Sequence, residues 1–336
     1  MVPIGAATLA VGALMFSTGD PTLASLGRFV QGAGGVFALV GAVYIATTNF
    51  PASRAATLIG ATQMFGMAGG SAGQFMVGPA IGAGMAWSTF WLLMGVIGLL
   101  ICVALFVLIP ARPAKTAAPG AESWMRVAGR GMLVVFRNPQ SVLCGMIAGL
   151  LFIPTTIFDM IWGVRYLQEA HEFTYADAVM RSAAVPFGWI IGCPLLGAIS
   201  DKLGRRKPVI VAGALVLLAC LAWILYGDPD VLPPYVLGLL AGIASGAAMI
   251  PYSVIKEANP KEVGGTATGV VNFLNFTFSA LLGPVFGWLL ARIGGAAPFS
   301  HGHYQDAFTP LLYGVALAIV LALILKETGP ARRASS

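Results

Sequence analysis

The sequence predicts an all-α polytopic membrane protein, a helical bundle with about ten transmembrane helices. Of its 336 residues, 58% are hydrophobic and only 10% are charged, and a water-soluble core of ordinary proportions could not bury so many apolar side chains. Apolar segments of about membrane-spanning length recur along the whole chain. The 43 glycines are scattered through these segments, where small residues let helices approach closely in lipid.

In chain order, the apolar segments are expected near residues 4–18, 22–48, 55–80, 87–109, 141–165, 179–199, 208–226, 232–255, 266–291 and 308–325. The first is the shortest. One long polar interval separates them, and its Pro, Ala and Gly content is typical of a linker. We therefore expect an N-terminal half-bundle at 1–110, a cytoplasmic linker at 111–140 and a C-terminal six-helix bundle at 141–336.

Residues 122–137 of the linker mix three arginines with Trp, Met, Val and Phe. Such a pattern suits a helix that lies on an anionic membrane surface. A short solvated helix is the alternative, and the sequence does not choose between the two.

Basic residues divide unevenly between the two sides of the predicted membrane. If alternate loops share a side, fifteen of the 19 Lys and Arg residues fall on the side of the linker, and three, Arg165, Arg181 and Arg292, fall on the other. The positive-inside rule then places the linker and both ends of the chain in the cytoplasm, in an inner-membrane protein. The net charge of +6 is therefore explained by a lipid bilayer, and no nucleic-acid partner is expected.

Metal, cofactor and enzyme chemistry find little support in the sequence. The four cysteines lie singly in apolar segments, and the three histidines have no carboxylate at ligand spacing. No catalytic triad or phosphate-binding loop is present. We therefore expect no metal, no cofactor and no enzymatic activity, with a membrane enzyme as the weaker alternative class.

The densest run of charge lies between the sixth and seventh apolar segments and reads Gly197-Ala-Ile-Ser-Asp201-Lys202-Leu-Gly204-Arg205-Arg206-Lys207. This run resembles the loop signature of the major facilitator superfamily of secondary transporters, which follows helix 2 and again helix 8 of that family. A generic positive-inside loop would explain the basic residues but neither the acid nor the two glycines. The resemblance implies a pseudo-symmetric bundle.

The resemblance also implies that the charged loop is a cytoplasmic gate. In the family such a loop reaches across to the opposite half, so Asp201 is expected near the start of the segment at residues 54–58. The unpaired N–H groups and partial positive charge of a helix N-terminus favour a carboxylate there, and Arg54 could add a charge-assisted hydrogen bond.

An internal repeat links the two halves at a shift of about 209 residues, which aligns Pro51 with Pro260, Thr57 with Thr266, Gly60 with Gly269, and Gln63 with Asn272. Further along, the shift falls by four residues, about one helical turn, and Gly78-Pro79-Ala-Ile-Gly82 aligns with Gly283-Pro284-Val-Phe-Gly287. The glycines and prolines of both motifs are expected at helix-packing positions. Parallel repeats suit the superfamily. Because the partner of the charged loop would precede residue 1, the chain is interpreted as helices 3 to 12 of a twelve-helix design.

Two charged residues inside apolar segments are the main candidates for function. Arg28-Phe-Val-Gln31-Gly32 resembles the helix 4 signature of the family, whose Arg is tied to proton coupling; a structural ion pair is the alternative. Asp159 would lie on helix 7, which lines the central cavity in this family. It is interpreted as a proton or cation site, with a solvated position at the outer rim as the alternative.

Four uncharged polar residues complete the expected solute and proton pathway: Gln63, Tyr252, Asn272 and Asn275. For the three amides, hydrogen bonding between packed helices is the alternative role. Lys256 and Glu257, just beyond Tyr252, are interpreted as a loop ion pair.

Together these features predict a secondary transporter that moves a small solute by alternating access, with proton-coupled metabolite uptake as the first interpretation. The expected partners are the solute, protons and the bilayer, and the expected state is a monomer. Gly78-Pro79 resembles the helix 5 signature of antiporters, but Gln74 and Ala83 replace glycines that are usual there. A drug or metabolite efflux antiporter, or a truncated non-transporting membrane subunit, are the alternatives.

Overall fold

The computed structural model describes residues 2–51, 54–108, 124–228, 233, 235–295 and 298–330, and every regular element in those residues is helical. The α-helices are α1 (Val2–Ser17), α2 (Pro21–Asn49), α3 (Ala55–Gly82), α4 (Trp87–Leu108), α5 (Trp124–Arg137), α6 (Pro139–Ile153), α7 (Val164–His171), α8 (Tyr175–Leu203), α9 (Lys207–Tyr226), α10 (Val236–Ser245), α11 (Ile250–Glu257), α12 (Gly264–Gly294) and α13 (His301–Ile324).

Several of these helices join into longer rods. A π-helical stretch, Pro154–Gly163, connects α6 to α7, and a short 3₁₀ turn, Gly246–Met249, connects α10 to α11. Every predicted apolar segment therefore corresponds to one helix or rod, and the all-α membrane fold is confirmed. Among the described residues, seven helices or rods are long and apolar enough to cross a membrane, whereas α1 has only 16 residues.

Contacts divide the chain into two compact units. The first contains residues 1–48 and 73–128, and the second contains 49–72 and 129–336. Residues 109–123, which include the first part of the predicted linker, lie outside the described part. The domain boundaries expected at 110 and 140 stay a prediction.

In the first unit, α1 packs against α2 and α4 through small residues. A Cβ atom added to Gly12 of α1 would lie 2.6 Å from the carbonyl oxygen of Gly27 in α2. No side chain fits there without moving a backbone, so glycine is required at this crossing.

The second unit contains α6 to α13. In this unit, α8 and α10 approach each other as closely as the helices of the first unit do. A Cβ on Gly246, just after α10, would lie 2.6 Å from the carbonyl carbon of Gly192 in α8. The start of α3 also belongs to this unit, since Gly60 lies against the backbone of Cys193 in α8.

The helix predicted inside the linker is present as α5. Gly131 and Val135 are buried, and a Cβ on Gly131 would lie 3.0 Å from Thr266 Oγ1 in α12. The arginines at 126, 130 and 137 are exposed. One face of α5 therefore packs on the second unit, and its contact with a membrane surface stays a prediction.

Candidate functional site

The charged loop begins where α8 ends. Gly204 adopts the left-handed conformation, with φ of 63°, and its N–H donates to the carbonyl oxygen of Asp201 at 3.1 Å. Glycine reaches this conformation without strain, so it ends α8 and turns the chain sharply. The next helix, α9, starts at Lys207 with a proline at its second position, where no N–H is needed.

Arg206 is the centre of the loop, with only 1% of its side chain exposed. One terminal nitrogen, Nη1, donates to Asp201 Oδ1 at 2.6 Å and to Ser200 Oγ at 3.1 Å. The other, Nη2, donates to Glu257 Oε1 at 2.7 Å. A buried ion pair contributes little net stability, but removing one partner leaves an uncompensated charge and costs about 3–5 kcal/mol.

The second oxygen of Asp201 reaches the first turn of α3. Oδ2 accepts hydrogen bonds from the backbone N–H of Thr57 at 3.0 Å and from Thr57 Oγ1 at 2.9 Å. The first N–H groups of a helix have no partner inside that helix, and its N-terminal end attracts negative charge. Asp201 therefore lies at the start of α3, within the stretch expected from the sequence.

Arg54 does not supply the cation for Asp201, contrary to expectation. Its side chain is exposed, and the guanidinium that contacts the carboxylate is that of Arg206, five residues along the same loop. Arg54 precedes the first turn of α3 and faces solvent, whereas the turn at Gly204 directs Arg206 inward. Arg205 and Lys202 are exposed, and Lys207 is half-buried. Gly197 is buried in the last turns of α8.

A second carboxylate, Glu327, was not expected at the loop. Its oxygens accept the backbone N–H groups of Arg206 at 2.8 Å and Lys207 at 3.1 Å, and so cap the start of α9. Burial by itself would raise the pKa of Glu327, but these donors, with the N–H groups of Thr328 and Gly329, hold the pKa below its usual value of 4.5.

The segment after α13 is joined to the loop by one further contact. Thr328 Oγ1 donates to Glu257 Oε2 at 2.7 Å. Glu257 thus pairs with Arg206 and Thr328, whereas the sequence suggested an ion pair with its neighbour Lys256. An acid three residues beyond a membrane helix was the available signal for Glu327, but its partner lies 121 positions away in the sequence.

Arg28 lies in the first unit and is exposed. Its guanidinium carbon lies 4.1 Å from the ring centroid of Phe16 and 4.7 Å from that of Trp91, and Nη1 donates to Gln31 Oε1 at 3.3 Å. No carboxylate in the described residues lies within ion-pair distance. Aromatic rings and one amide therefore stabilise the charge, each cation–π contact contributing about 0.5–1 kcal/mol at such a site.

Asp159 lies in the π-helical stretch of the second unit, with 7% of its surface exposed. Oδ1 accepts a hydrogen bond from Ser182 Oγ in α8 at 3.0 Å. Oδ2 has no hydrogen-bond partner among the described residues. The side chain is therefore buried against α8, not solvated at a rim.

A cavity of about 110 Å³ adjoins Asp159 inside the second unit. Its wall is formed mainly by the π-helical stretch, α7, α8, α9 and α10, and includes Thr155, Phe158, Tyr166, Ser182, Trp223 and Ser245. The hydroxyl of Ser245 is buried and, like Asp159 Oδ2, has no partner in the described residues.

Three polar residues of the expected pathway meet between α11 and α12. The hydroxyl of Tyr252 donates to Asn272 Oδ1 at 3.0 Å, and Asn275 Nδ2 donates to the same hydroxyl at 3.4 Å. Gln63 lies half-buried on α3, and no hydrogen bond joins it to this cluster in the described part of the chain. The arrangement suits packing between the two helices as well as solute contact.

The two Gly-Pro motifs are only partly described. The surroundings of Gly78, Pro79 and Gly82 in α3 lie outside the described residues. In α12, a Cβ on Gly287 would lie 3.4 Å from Trp162, and a Cβ on Gly283 would meet no described atom within 4 Å. Pro284 is exposed. The packing role of these motifs stays a prediction.

Comparison with known proteins identifies a family. The family model described as Major Facilitator Superfamily matches residues 1–284. Sugar transporter ERD6-like 8 of Arabidopsis thaliana is 27% identical over 329 residues, which cover 82% of this chain and 66% of that protein. The tetracycline resistance protein, class E, of Escherichia coli is 30% identical over 155 residues, which cover 44% of this chain and 33% of that protein. The chain thus spans one third to two thirds of the length of these relatives.

Two solved structures share the fold. The Escherichia coli fucose:proton symporter FucP superposes with a TM-score of 0.68 at 14% identity, over 97% of this chain and 83% of that one. A bacterial homolog of the human lysosomal transporter Spinster gives a TM-score of 0.56 at 15% identity, over 96% of this chain and 80% of that one. Both likenesses concern the fold alone.

Proposed function

The chain belongs to the major facilitator superfamily, and we propose that it moves a small solute across a membrane by alternating access, with the loop at Asp201 as a cytoplasmic gate. The observation that carries the proposal is the pair of hydrogen bonds from Thr57 to Asp201 Oδ2, at 3.0 and 2.9 Å. They tie the first turn of α3 to the end of α8.

The tie has the properties that a reversible gate requires. A hydrogen bond to a charged group contributes about 1.5–3 kcal/mol, which is enough to bias two conformations and small enough to be reversed by a bound solute. Arg206 holds the other oxygen of Asp201 in place, so the carboxylate is oriented before it meets Thr57. The gate therefore opens by separation of α3 from α8, while the Arg206 cluster stays intact.

Proton-coupled uptake of a small metabolite is the finer proposal. A charge is retained inside an apolar segment only where it has a use, and Arg28 and Asp159 are the two such charges on which the proposal rests. Sugar carriers and efflux proteins both occur among the relatives, so the similarity leaves the direction open. The departures at Gln74 and Ala83 from the antiporter signature favour uptake, and solute-induced proton movement in proteoliposomes is the test.

The proposed topology places the linker and both ends of the chain on the cytoplasmic side of an inner membrane, with the protein acting as a monomer. It is supported by the uneven division of the 19 basic residues. A cysteine introduced near residue 114 is expected to resist an impermeant thiol reagent in intact cells and to react in inverted vesicles. Reaction in intact cells would reverse the topology.

Native Cys193 provides a direct test of the gate. It is buried in α8 against Gly60 of α3, so separation of the two helices would expose it. In a variant that keeps only this thiol, Asp201→Asn and Thr57→Val are each expected to raise its labelling rate about tenfold, the factor that corresponds to about 1.4 kcal/mol.

Thr62→Val is the matched control for the gate. Thr62 lies on the same helix and is half-buried, but its hydroxyl donates only within α3, to the carbonyl oxygen of Leu58 at 3.0 Å. Its labelling rate should stay at the parent value. Equal rates in the Thr57 and Thr62 variants would contradict the gate.

A further inference from the structure

The cavity beside Asp159 contains two polar groups that the fold leaves unsatisfied. Asp159 Oδ2 and Ser245 Oγ both belong to residues that line it, and neither has a hydrogen-bond partner in the described residues. Buried polar atoms without partners are rare, and each needs an explanation such as a bound ligand. Two such atoms belong to residues of one cavity, and one of them is a carboxylate oxygen. They point to a ligand that carries hydrogen-bond donors.

The residues around Asp159 favour a positively charged ligand. Ser182 provides one hydrogen bond to Oδ1, and no cation lies within ion-pair distance in the described residues. A buried carboxylate needs a compensating positive charge or a proton. The two basic residues in the wall are engaged elsewhere: the Arg181 guanidinium lies 4.0 Å from the ring centroid of Phe173, and His171 Nε2 lies 2.9 Å from the Tyr166 hydroxyl.

The remaining wall indicates an organic rather than an inorganic cation. It is mostly apolar and includes four aromatic side chains, Phe158, Tyr166, Trp223 and Tyr235. Aromatic faces attract alkylammonium groups, whereas Na⁺ and Mg²⁺ prefer several strongly polar oxygen ligands, and Asp159 supplies the single carboxylate among the described residues that line the cavity. A cavity of roughly 150 Å³ accepts benzene, so the 110 Å³ here suits about four or five non-hydrogen atoms.

We propose that this cavity, which is lined by residues of the second unit, binds a small organic ammonium ion, whose nitrogen donates to Asp159 and Ser245 while its alkyl chain contacts the apolar and aromatic side chains of the wall. The site is separate from Arg28, which lies in the other unit. The proposal concerns binding and does not depend on the transport cycle. Either proposal, the binding site or the gate, can therefore fail while the other stands.

The probe is n-butylammonium, and 1-butanol, which has the same number of non-hydrogen atoms and no charge, is its neutral match. Binding is followed with the full chain in nanodiscs by calorimetry and by tryptophan fluorescence, with empty nanodiscs as the blank, because Trp223 lines the cavity. We expect saturable binding of n-butylammonium at least tenfold tighter than that of 1-butanol. Equal binding of the two would show an apolar void and overturn the proposal.

Two matched pairs of variants locate the site. Asp159→Asn should weaken n-butylammonium binding at least tenfold, whereas Asp306→Asn, the same change at an exposed position, should leave it unchanged. Ser245→Ala should weaken binding about threefold, whereas Ser253→Ala should not, although Ser253 is also buried and unsatisfied among the described residues. Loss of binding in both members of a pair, or in neither, would overturn the site.

Two further measurements test binding of inorganic cations and guard against a variant that does not fold. NaCl in place of n-butylammonium chloride at equal ionic strength should neither bind nor compete, and competition by Na⁺ would overturn the organic part of the proposal. If Asp159→Asn fails to fold, Asp159→Glu keeps the charge and should retain the preference for n-butylammonium over 1-butanol. Loss of that preference in a folded Asp159→Glu protein would contradict the role of the carboxylate.

Discussion

Asp201 and Asp159 are both carboxylates held largely out of water, and their surroundings differ in the number of donors that face them. Asp201 accepts three hydrogen bonds, two from Thr57 and one from Arg206. Asp159 accepts a side-chain hydrogen bond from Ser182 at Oδ1, and its Oδ2 has no partner in the described residues. A satisfied buried charge orders the elements around it, whereas an unsatisfied one has capacity left for a ligand.

The largest expected effect tests the satisfied cluster. Arg206→Met keeps much of the side-chain volume but leaves the half-buried Asp201 and Glu257 without their cation. The free energy of unfolding should fall by about 3–5 kcal/mol, measured by denaturation in detergent. Arg205→Met is the control, because Arg205 is adjacent and exposed, and its variant should stay within about 0.5 kcal/mol of the parent protein. A small effect at both positions would remove the contrast with Asp159.

A smaller effect is expected where the C-terminal segment caps α9. Glu327→Gln keeps the shape but loses the charge that the backbone N–H groups of Arg206 and Lys207 bind, and stability should fall by about 1–2 kcal/mol at pH 7. The control is Glu262→Gln, since Glu262 is exposed at the start of α12.

The effect at Glu327 should depend on pH in a defined direction. Its pKa is held below 4.5 in the folded protein, so its contribution is complete above that value and is lost as pH falls through the lower, folded pKa. The parent protein and Glu327→Gln should therefore differ at pH 7 and converge in acid. A difference that persists unchanged into strong acid would contradict ionic capping.

At Asp159, loss of the charge should raise the stability of the protein rather than lower it. Asp159→Asn removes a buried charge that lacks a cation among the described residues, so the ligand-free protein should gain about 1 kcal/mol in stability. Asp201→Asn, the same chemical change, should destabilise because Arg206 then loses a partner. Thermal unfolding of the two variants in one detergent makes the comparison. Destabilisation of equal size by both would show that Asp159 is satisfied after all.

At Arg28 the expected effect on stability is no larger than that at Glu327. Arg28→Gln removes contacts with Phe16 and Trp91, which contribute about 0.5–1 kcal/mol each, and Arg292→Gln removes a similar contact with Trp288 at 5.1 Å. Both variants should unfold within a few degrees of the parent protein. If Arg28 serves proton coupling, only its variant should lose solute-induced proton movement. Equal loss in both would assign Arg28 to packing alone.

The sequence alone was enough to predict the fold class, because a membrane helix is determined by a run of consecutive residues. Each needs about twenty apolar residues and satisfies its own backbone hydrogen bonds, so composition and segment length determine where it lies. The position of Asp201 near the start of α3 was also predictable, from a family resemblance.

The partners inside the site were decided by tertiary structure. Arg206 rather than Arg54 pairs with Asp201, and Glu327 reaches Arg206 from 121 residues away. Asp159, whose Oδ2 has no hydrogen-bond partner in the described residues, lines a cavity walled by several helices. A sequence shows that a charge is present in an apolar chain and must be compensated. Which donor compensates it depends on how helices cross and on which direction each side chain points, and contacts far apart in sequence determine both.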